Sequence, residues 1–120
     1  MKMRFGKHYM SDLYLCQNAL WETPDYLENE LDKLTTQMNM GKVFWINKSF
    51  KTDRIRMLGE VNDFSIILVQ IFPSECFIAI DLFSWLPDFD MQLFSESLIN
   101  IFIPQVVAAE TKIRAEHLSV

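Results

Sequence analysis

Between Phe64 and Trp85 the chain reads FSIILVQIFPSECFIAIDLFSW, and no other stretch so narrows what it can fold into. The first arm, Phe64 to Phe72, is rich in Ile, Val and Phe and is broken only by Ser65 and Gln70. The second arm, Cys76 to Phe83, is apolar except for Asp81. Pro73-Ser74-Glu75 separates them, and Pro73, which has no N–H to give to a ladder, belongs in a turn. Near-continuous apolar runs of this length, bounded by turn signals, predict two central strands covered on both faces.

The remaining elements arrange themselves around this pair. Lys7 to Leu15 alternates loosely, ends at Cys16 and reads as a first strand. Thr23-Pro24-Asp25 opens a helix: Thr can cap, Pro suits the first helical position, and Asp complements the positive dipole end. Leu27, Leu31, Leu34 and Met38 then share one face. Glu28, Glu30, Asp32 and Lys33 make the solvated face, and Asn39 and Gly41 end the helix. Val43 to Phe50 reads as a second strand, Lys51-Thr52-Asp53 as a turn, and Arg54 to Val61 as a third, weaker strand with a bulge signal at Gly59. Asn62-Asp63 turns the chain into the central pair.

After Trp85, Asp88 or Asp90 caps a second helix whose buried stripe is Phe94, Leu98, Ile101 and Phe102, with Leu93 beside it. Pro104 terminates it. Val106 to Ile113 is a last strand, and Arg114 to Val120, with His117, a solvated tail. The order β-α-β-β-β-β-α-β predicts one α+β domain over residues 1–120. It is a two-layer sandwich, a mainly antiparallel sheet with both helices on one face. The other face then presents Phe, Trp and Ile outward. An open apolar face of that size predicts a homo-oligomer, dimer or trimer, with ligand sites near the subunit interfaces.

Composition limits the function. Half of the 120 residues are hydrophobic and 22% are charged, as in a globular chain with a real core. A net charge of −5 speaks against nucleic acid, whose phosphates call for Lys and Arg patches. It is compatible with a small cationic ligand such as a sulfonium. Cys16 and Cys76 lie in separate strands with no CxxC or zinc spacing, and read as buried reduced thiols. The first ten residues carry cations but no apolar core of a leader, and no stretch reaches a membrane span. The expectation is a cytoplasmic protein with no membrane partner, no metal and no cofactor.

The Phe64–Trp85 span resembles the small bacterial S-adenosylmethionine (AdoMet) decarboxylases, whose signature is roughly ESH-x-x-I-H-T-W-P-E-x-x-Y-A-A-x-D-x-F-T-C-G. It aligns without a gap: Pro73, Ala79, Asp81 and Phe83 match, and Phe72, Phe77 and Ser84 nearly match. The opening FGKHYMSDLYLC is similar to the family's G-[KR]-H strand, so the likeness covers most of the chain and implies an AdoMet decarboxylase-like fold. In the family a Ser is converted by self-cleavage into a pyruvoyl group that forms a Schiff base with AdoMet. Ser65 stands at that position. The Glu before it is Phe64 here, the first His is Ile66, the second is Gln70, and the proton-donating Cys is Trp85. An amide and an indole do not exchange protons near neutral pH as an imidazole does. The resemblance therefore implies the fold and the ligand pocket with the pyruvoyl machinery dismantled.

The resemblance also nominates residues. The family holds AdoMet with aromatic groups near the adenine and with its W-P-E corner. Phe72 and Pro73 keep the apolar part of that corner, Ser74 replaces its Glu, and Glu75 stands one place later. Phe50, Ser65, Gln70, Phe72, Pro73 and Ser74 form the candidate substrate-binding set, and Glu75 and Glu110 are the candidate catalytic carboxylates. Each has a plainer reading: Glu75 a solvated turn residue, Glu110 an edge-strand residue facing water, Asp81 and His8 structural. Ser65 and Gln70 hydrogen-bond either a ligand or neighbouring residues.

An AdoMet pocket without pyruvate still has chemistry available. The sulfonium is a good leaving group, and the substrate's own carboxylate can displace it at the γ-carbon, giving methylthioadenosine and homoserine lactone. This needs positioning, worth up to ~7–11 kcal/mol in favourable cases, rather than a cofactor. The bacteriophage AdoMet lyases do this chemistry. The chain is similar to them in size and in lacking cofactor motifs. An AdoMet lyase is the leading expectation. The alternatives are a non-catalytic relative that binds AdoMet or an active decarboxylase, a pyruvoyl decarboxylase with unusual processing, and a decarboxylase of a basic amino acid.

Overall fold

The computed structural model describes residues 6–17, 19, 22–86 and 89–114. Expectations that fall on the first five residues, on Asp88 and on the tail with His117 lie outside the described residues. The elements are β1 (Gly6–Tyr14), α1 (Pro24–Gln37), β2 (Val43–Phe50), β3 (Ile55–Val61), β4 (Ser65–Phe72), β5 (Phe77–Ser84), α2 (Met91–Phe102) and β6 (Val106–Arg114). A single 3-10 turn, Pro73–Glu75, joins β4 to β5. One antiparallel sheet runs in the order β2-β3-β4-β5-β1-β6. This is the expected α+β sandwich, with the first strand inserted between β5 and β6.

Strand alternation sorts the side chains. Met57 of β3, Ile67, Val69 and Ile71 of β4, Ile78, Ile80 and Leu82 of β5, and Tyr9 and Leu13 of β1 are buried. They meet Leu27, Leu31 and Leu34 of α1 and Phe94, Leu98 and Phe102 of α2 in one core. The alternate positions face away from the helices. Ile66, for example, is 46% exposed. The central pair is therefore covered on one face by this chain, not on both. Its near-continuous apolar pattern leaves the second face open but still apolar.

Local chemistry explains the ends of the helices, with corrections. Thr23 makes no side-chain cap; its carbonyl accepts instead from Tyr26 and Leu27 N–H. Asp90 does cap α2, its Oδ1 accepting from the Leu93 N–H at 3.0 Å. That helix stops at Phe102 because Ile103 is left-handed (φ 49°), its N–H donating to the Ile99 carbonyl; Pro104 follows rather than causes the stop. Gly59 is not the bulged residue. The irregularity lies opposite, between Trp45 and Asn47 of β2. A Cβ on Gly59 would come within 2.4 Å of Val43 Cγ1 and 2.9 Å of Trp45 Cε3. The glycine lets β2 lay these two side chains across β3.

Candidate functional site

The register places the candidates on two different faces. On the open face, Phe72 of β4 stands opposite Phe77 of β5. Tyr14 of β1 comes next, its ring centroid 5.0 Å from that of Phe77, which is in turn 5.7 Å from that of Phe72. These three rings form a row across three strands at the end of the sheet where β4 turns into β5.

The turn itself brings the carboxylate. Pro73 presets the first position of the 3-10 turn. Cys76 closes the turn in the left-handed region (φ 49°), its N–H donating to the Pro73 carbonyl at 3.1 Å. Glu75 is thereby set above the aromatic row. Tyr14, Leu15, Phe72, Glu75 and Phe77 line a cavity of about 420 Å³. One carboxylate on an otherwise apolar, aromatic wall suits an organic cation. Pro73 is half-buried and Ser74 exposed beside it.

Glu110 belongs to a second cavity, of about 340 Å³, with Met10, Asp12, Asp81 and Ala108 among its lining residues. On β6, Glu110 pairs with Met10 while Val106 pairs with Tyr14. Four residues of strand separate the two positions, roughly 13 Å. Glu75 and Glu110 of one chain therefore do not reach the same small group. Gln70 is on the open face between Arg56 and Ala79.

Phe50 and Ser65 fall on the helix side. Phe50 pairs with the core residue Ile55. Ser65 is 3% exposed. Its hydroxyl donates to Ser84 Oγ at 2.8 Å, and Ser84 Oγ also accepts from the Leu86 N–H at 3.1 Å. The Ser65 hydroxyl is satisfied inside the protein, the neighbour-bonding reading of that residue. Asp81 is satisfied likewise, with Oδ1 3.1 Å from His8 Nε2 on the open face. Trp85 packs edge-on to Phe83 (5.1 Å) and lies over Gly6, whose added Cβ would be 3.0 Å from the indole. It sits at the far end of β5 from Glu75 and does not close the Glu75 cavity.

Tyr14, Leu15 and Phe77 were not among the sequence candidates. Phe77 is set opposite Phe72 by the β4–β5 hairpin; Tyr14 joins them only because β1 lies beside β5, and Leu15 follows just beyond the end of β1.

Residues 7–115 match the sequence model of the S-adenosylmethionine decarboxylase family. The chain belongs to that family. Among solved structures, the adenosylmethionine decarboxylase from Aquifex aeolicus VF5 is similar in fold, with a TM-score of 0.69 at 12% identity. The match covers 92% of this chain and 91% of that one. No curated protein sequence matches the chain significantly.

Family membership raises the question of a pyruvoyl group at Ser65, and the residues present do not fit it. The hydroxyl that would be converted is buried under the helix layer and bound to Ser84. The positions that carry imidazoles and a thiol in the family signature hold Ile66, Gln70 and Trp85. Among the described residues no cluster of His, Cys, Asp and Glu has the arrangement of a metal site, and no helix is long and apolar enough to cross a membrane.

Proposed function

We propose that this family member cleaves AdoMet by intramolecular displacement, releasing methylthioadenosine and homoserine lactone. The observation that carries the reading is the cavity in which Glu75 faces Tyr14, Phe72 and Phe77. In the step, a substrate carboxylate oxygen bonds to the γ-carbon, the γ-carbon–sulfur bond breaks, and the sulfonium takes the electron pair to become a neutral thioether. No proton is transferred, so the lack of an imidazole or thiol is no obstacle. The reaction neutralises a negative and a positive charge together. An apolar aromatic wall, which solvates separated charges poorly, favours such a transition state over the bound substrate. Glu75 holds the ammonium group, which keeps its charge throughout, and so orients the attacking carboxylate. Pro73 and Ser74 shape the turn, and Phe72 offers its face to the adenine or the sulfonium.

Gln70 lies one row further along the open face and is the polar group nearest in register to Phe72 on β4. Phe50, 40% exposed at the end of β2, and the buried Ser65 lie on the helix side, away from the Glu75 cavity. The open face also supports a homo-oligomer. It is apolar at Met10, Leu58, Ile66, Leu68, Ala79, Phe77 and Phe83. Around these it carries both charge signs, Arg56 and Glu60 on β3 and Glu110 and Lys112 on the edge strand β6, with His8 and Asp81 paired between them. A dimer, in which one patch meets its own copy, suits that self-complementary pattern. Glu110 takes part in the reaction only if a second copy carries it to the Glu75 cavity.

The test is incubation of intact protein with AdoMet, followed by separation and mass detection of the products. Methylthioadenosine with homoserine lactone, or homoserine from its hydrolysis, is expected. Glu75→Gln should lower turnover about 100-fold or more, the scale of a lost charged positioning contact, while Glu110→Gln falls comparably only for a shared site. Binding of AdoMet without turnover would favour the second reading, a non-catalytic relative, which the intact open face and the dismantled processing residues also suit. Decarboxylated AdoMet, with a chain cut before Ser65, would overturn both.

A further inference from the structure

Neither cysteine takes part in the chemistry above, yet the fold brings them together. The Cys16 N–H donates to the Cys76 carbonyl at 2.9 Å. The Cys76 N–H goes to the Pro73 carbonyl instead, so this single bond ties the backbone just beyond β1 to the end of the Pro73–Glu75 turn, and the two thiols are near enough for the Cys76 charge to act on Cys16; a disulfide spans roughly 4.4–6.8 Å between α-carbons. Cys16 lies in the core cluster and Cys76 packs against the same cluster, so both side chains turn toward the helix-covered side. Both are free thiols. Cys76 is half-buried and within reach of solvent; Cys16 is buried.

We propose that Cys16 and Cys76 form a reversible disulfide, by exchange with a low-molecular-weight disulfide, that fixes the Pro73–Glu75 turn against the end of β1. The Cys76 thiolate attacks one sulfur of the small disulfide and expels the first small thiolate. The Cys16 thiolate then attacks Cys76 Sγ and expels the second. The two protein thiols lose two protons and two electrons, and the reagent is reduced to two thiols. Burial, with the neighbouring Cys76 charge adding to it, pushes the Cys16 thiol up to about 11. Closure is therefore the slow, pH-dependent step, since only the thiolate attacks.

The link sits beside the cavity. Tyr14 and Leu15 precede Cys16, and Glu75 and Phe77 flank Cys76. Locking these segments together sets where Glu75 stands over the aromatic row. The bond itself is independent of the lyase reading; only its effect on catalysis rests on that reading. Its formation is accordingly measured without any substrate.

The experiment uses the folded full chain with oxidised glutathione and follows intact mass. A glutathione adduct is expected first, converting to a species two hydrogens lighter than the reduced chain. The conversion rate should rise about tenfold from pH ~7 to ~8, following the Cys16 thiolate fraction. Cys16→Ser should hold the adduct permanently, and Cys76→Ser should take up none. In the oxidised chain the amides of Cys16 and Cys76 should exchange hydrogen at least roughly tenfold more slowly than in the reduced chain. A wild-type chain that gains no adduct, or an adduct that persists unchanged to pH ~9, overturns the pairing. Equal exchange in the two forms overturns the locking of the turn.

Discussion

A missing methyl group does structural work at Gly59. Val43 and Trp45 cross the strand where its side chain would be, and Val43 leaves only 2.4 Å for a Cβ. Gly59→Ala must push β2 outward or force both side chains off their rotamers. The expected cost is about 1–3 kcal/mol, read as a lower urea midpoint at unchanged slope; an unaltered midpoint would show that β2 yields freely. Cys16 makes a second prediction at this scale. Its thiol is raised from the ordinary 9.0 to about 11, first by burial and then by the charge of Cys76. The unfolded chain ionises this group more easily than the folded one. Its contribution to stability is therefore whole below pH 9 and is lost as pH climbs towards 11. The loss is on the order of 2–3 kcal/mol. Urea titrations of the reduced protein at several pH values should show the decline, and Cys16→Ala should flatten it.

At the scale of elements, the two helix starts behave differently although both offer a capping residue. Asp90 gives its carboxylate to the Leu93 N–H, whereas the Thr23 hydroxyl bonds no helix amide. Asp90→Ala should cost about 1 kcal/mol, while Thr23→Ala should change the thermal midpoint far less. A large loss for Thr23→Ala would mean that its hydroxyl turns inward in solution. The strands and helices were legible because their signals are local. The Pro73-Ser74-Glu75 turn, the leucine stripe from Leu27 to Leu34 and the Asn39 and Gly41 stop are all written in neighbouring residues. Asn39 and Gly41 do adopt positive φ, 60° and 87°. The candidate cavity was only half legible. Of its lining, Phe72 and Glu75 stand three residues apart and were nominated together. Tyr14 depends on which strand lies beside which, and that pairing is set by the whole sheet. The same parity sends Ser65 to the core while Gln70 stays on the open side, a separation that a list of polar residues does not reveal.

For the whole molecule, the proposed dimer rests on the open face. Leu68 lies near its centre, between Leu58 and Asp81 in the register. Leu68→Glu should halve the sedimenting mass of a dimer while leaving the circular dichroism unchanged, because the side chain lies outside the helix-covered core. A wild-type chain that already sediments at its own mass, 14.2 kDa, would overturn the dimer. The two lateral margins of the sheet are also unequal. β2 is kinked by its irregularity and carries Lys48, paired to Glu28. β6 is nine residues long, shows no register irregularity against β1, and its outer side pairs with no strand among the described residues. Its opening run, Val106-Val107-Ala108-Ala109, has no charge, and Glu110 and Lys112 come only afterwards. Bare N–H and C=O groups along so straight a border are a template for further strands. In concentrated stocks, slow growth of fibrils should begin there, and the short charged half of β6 is what holds it back.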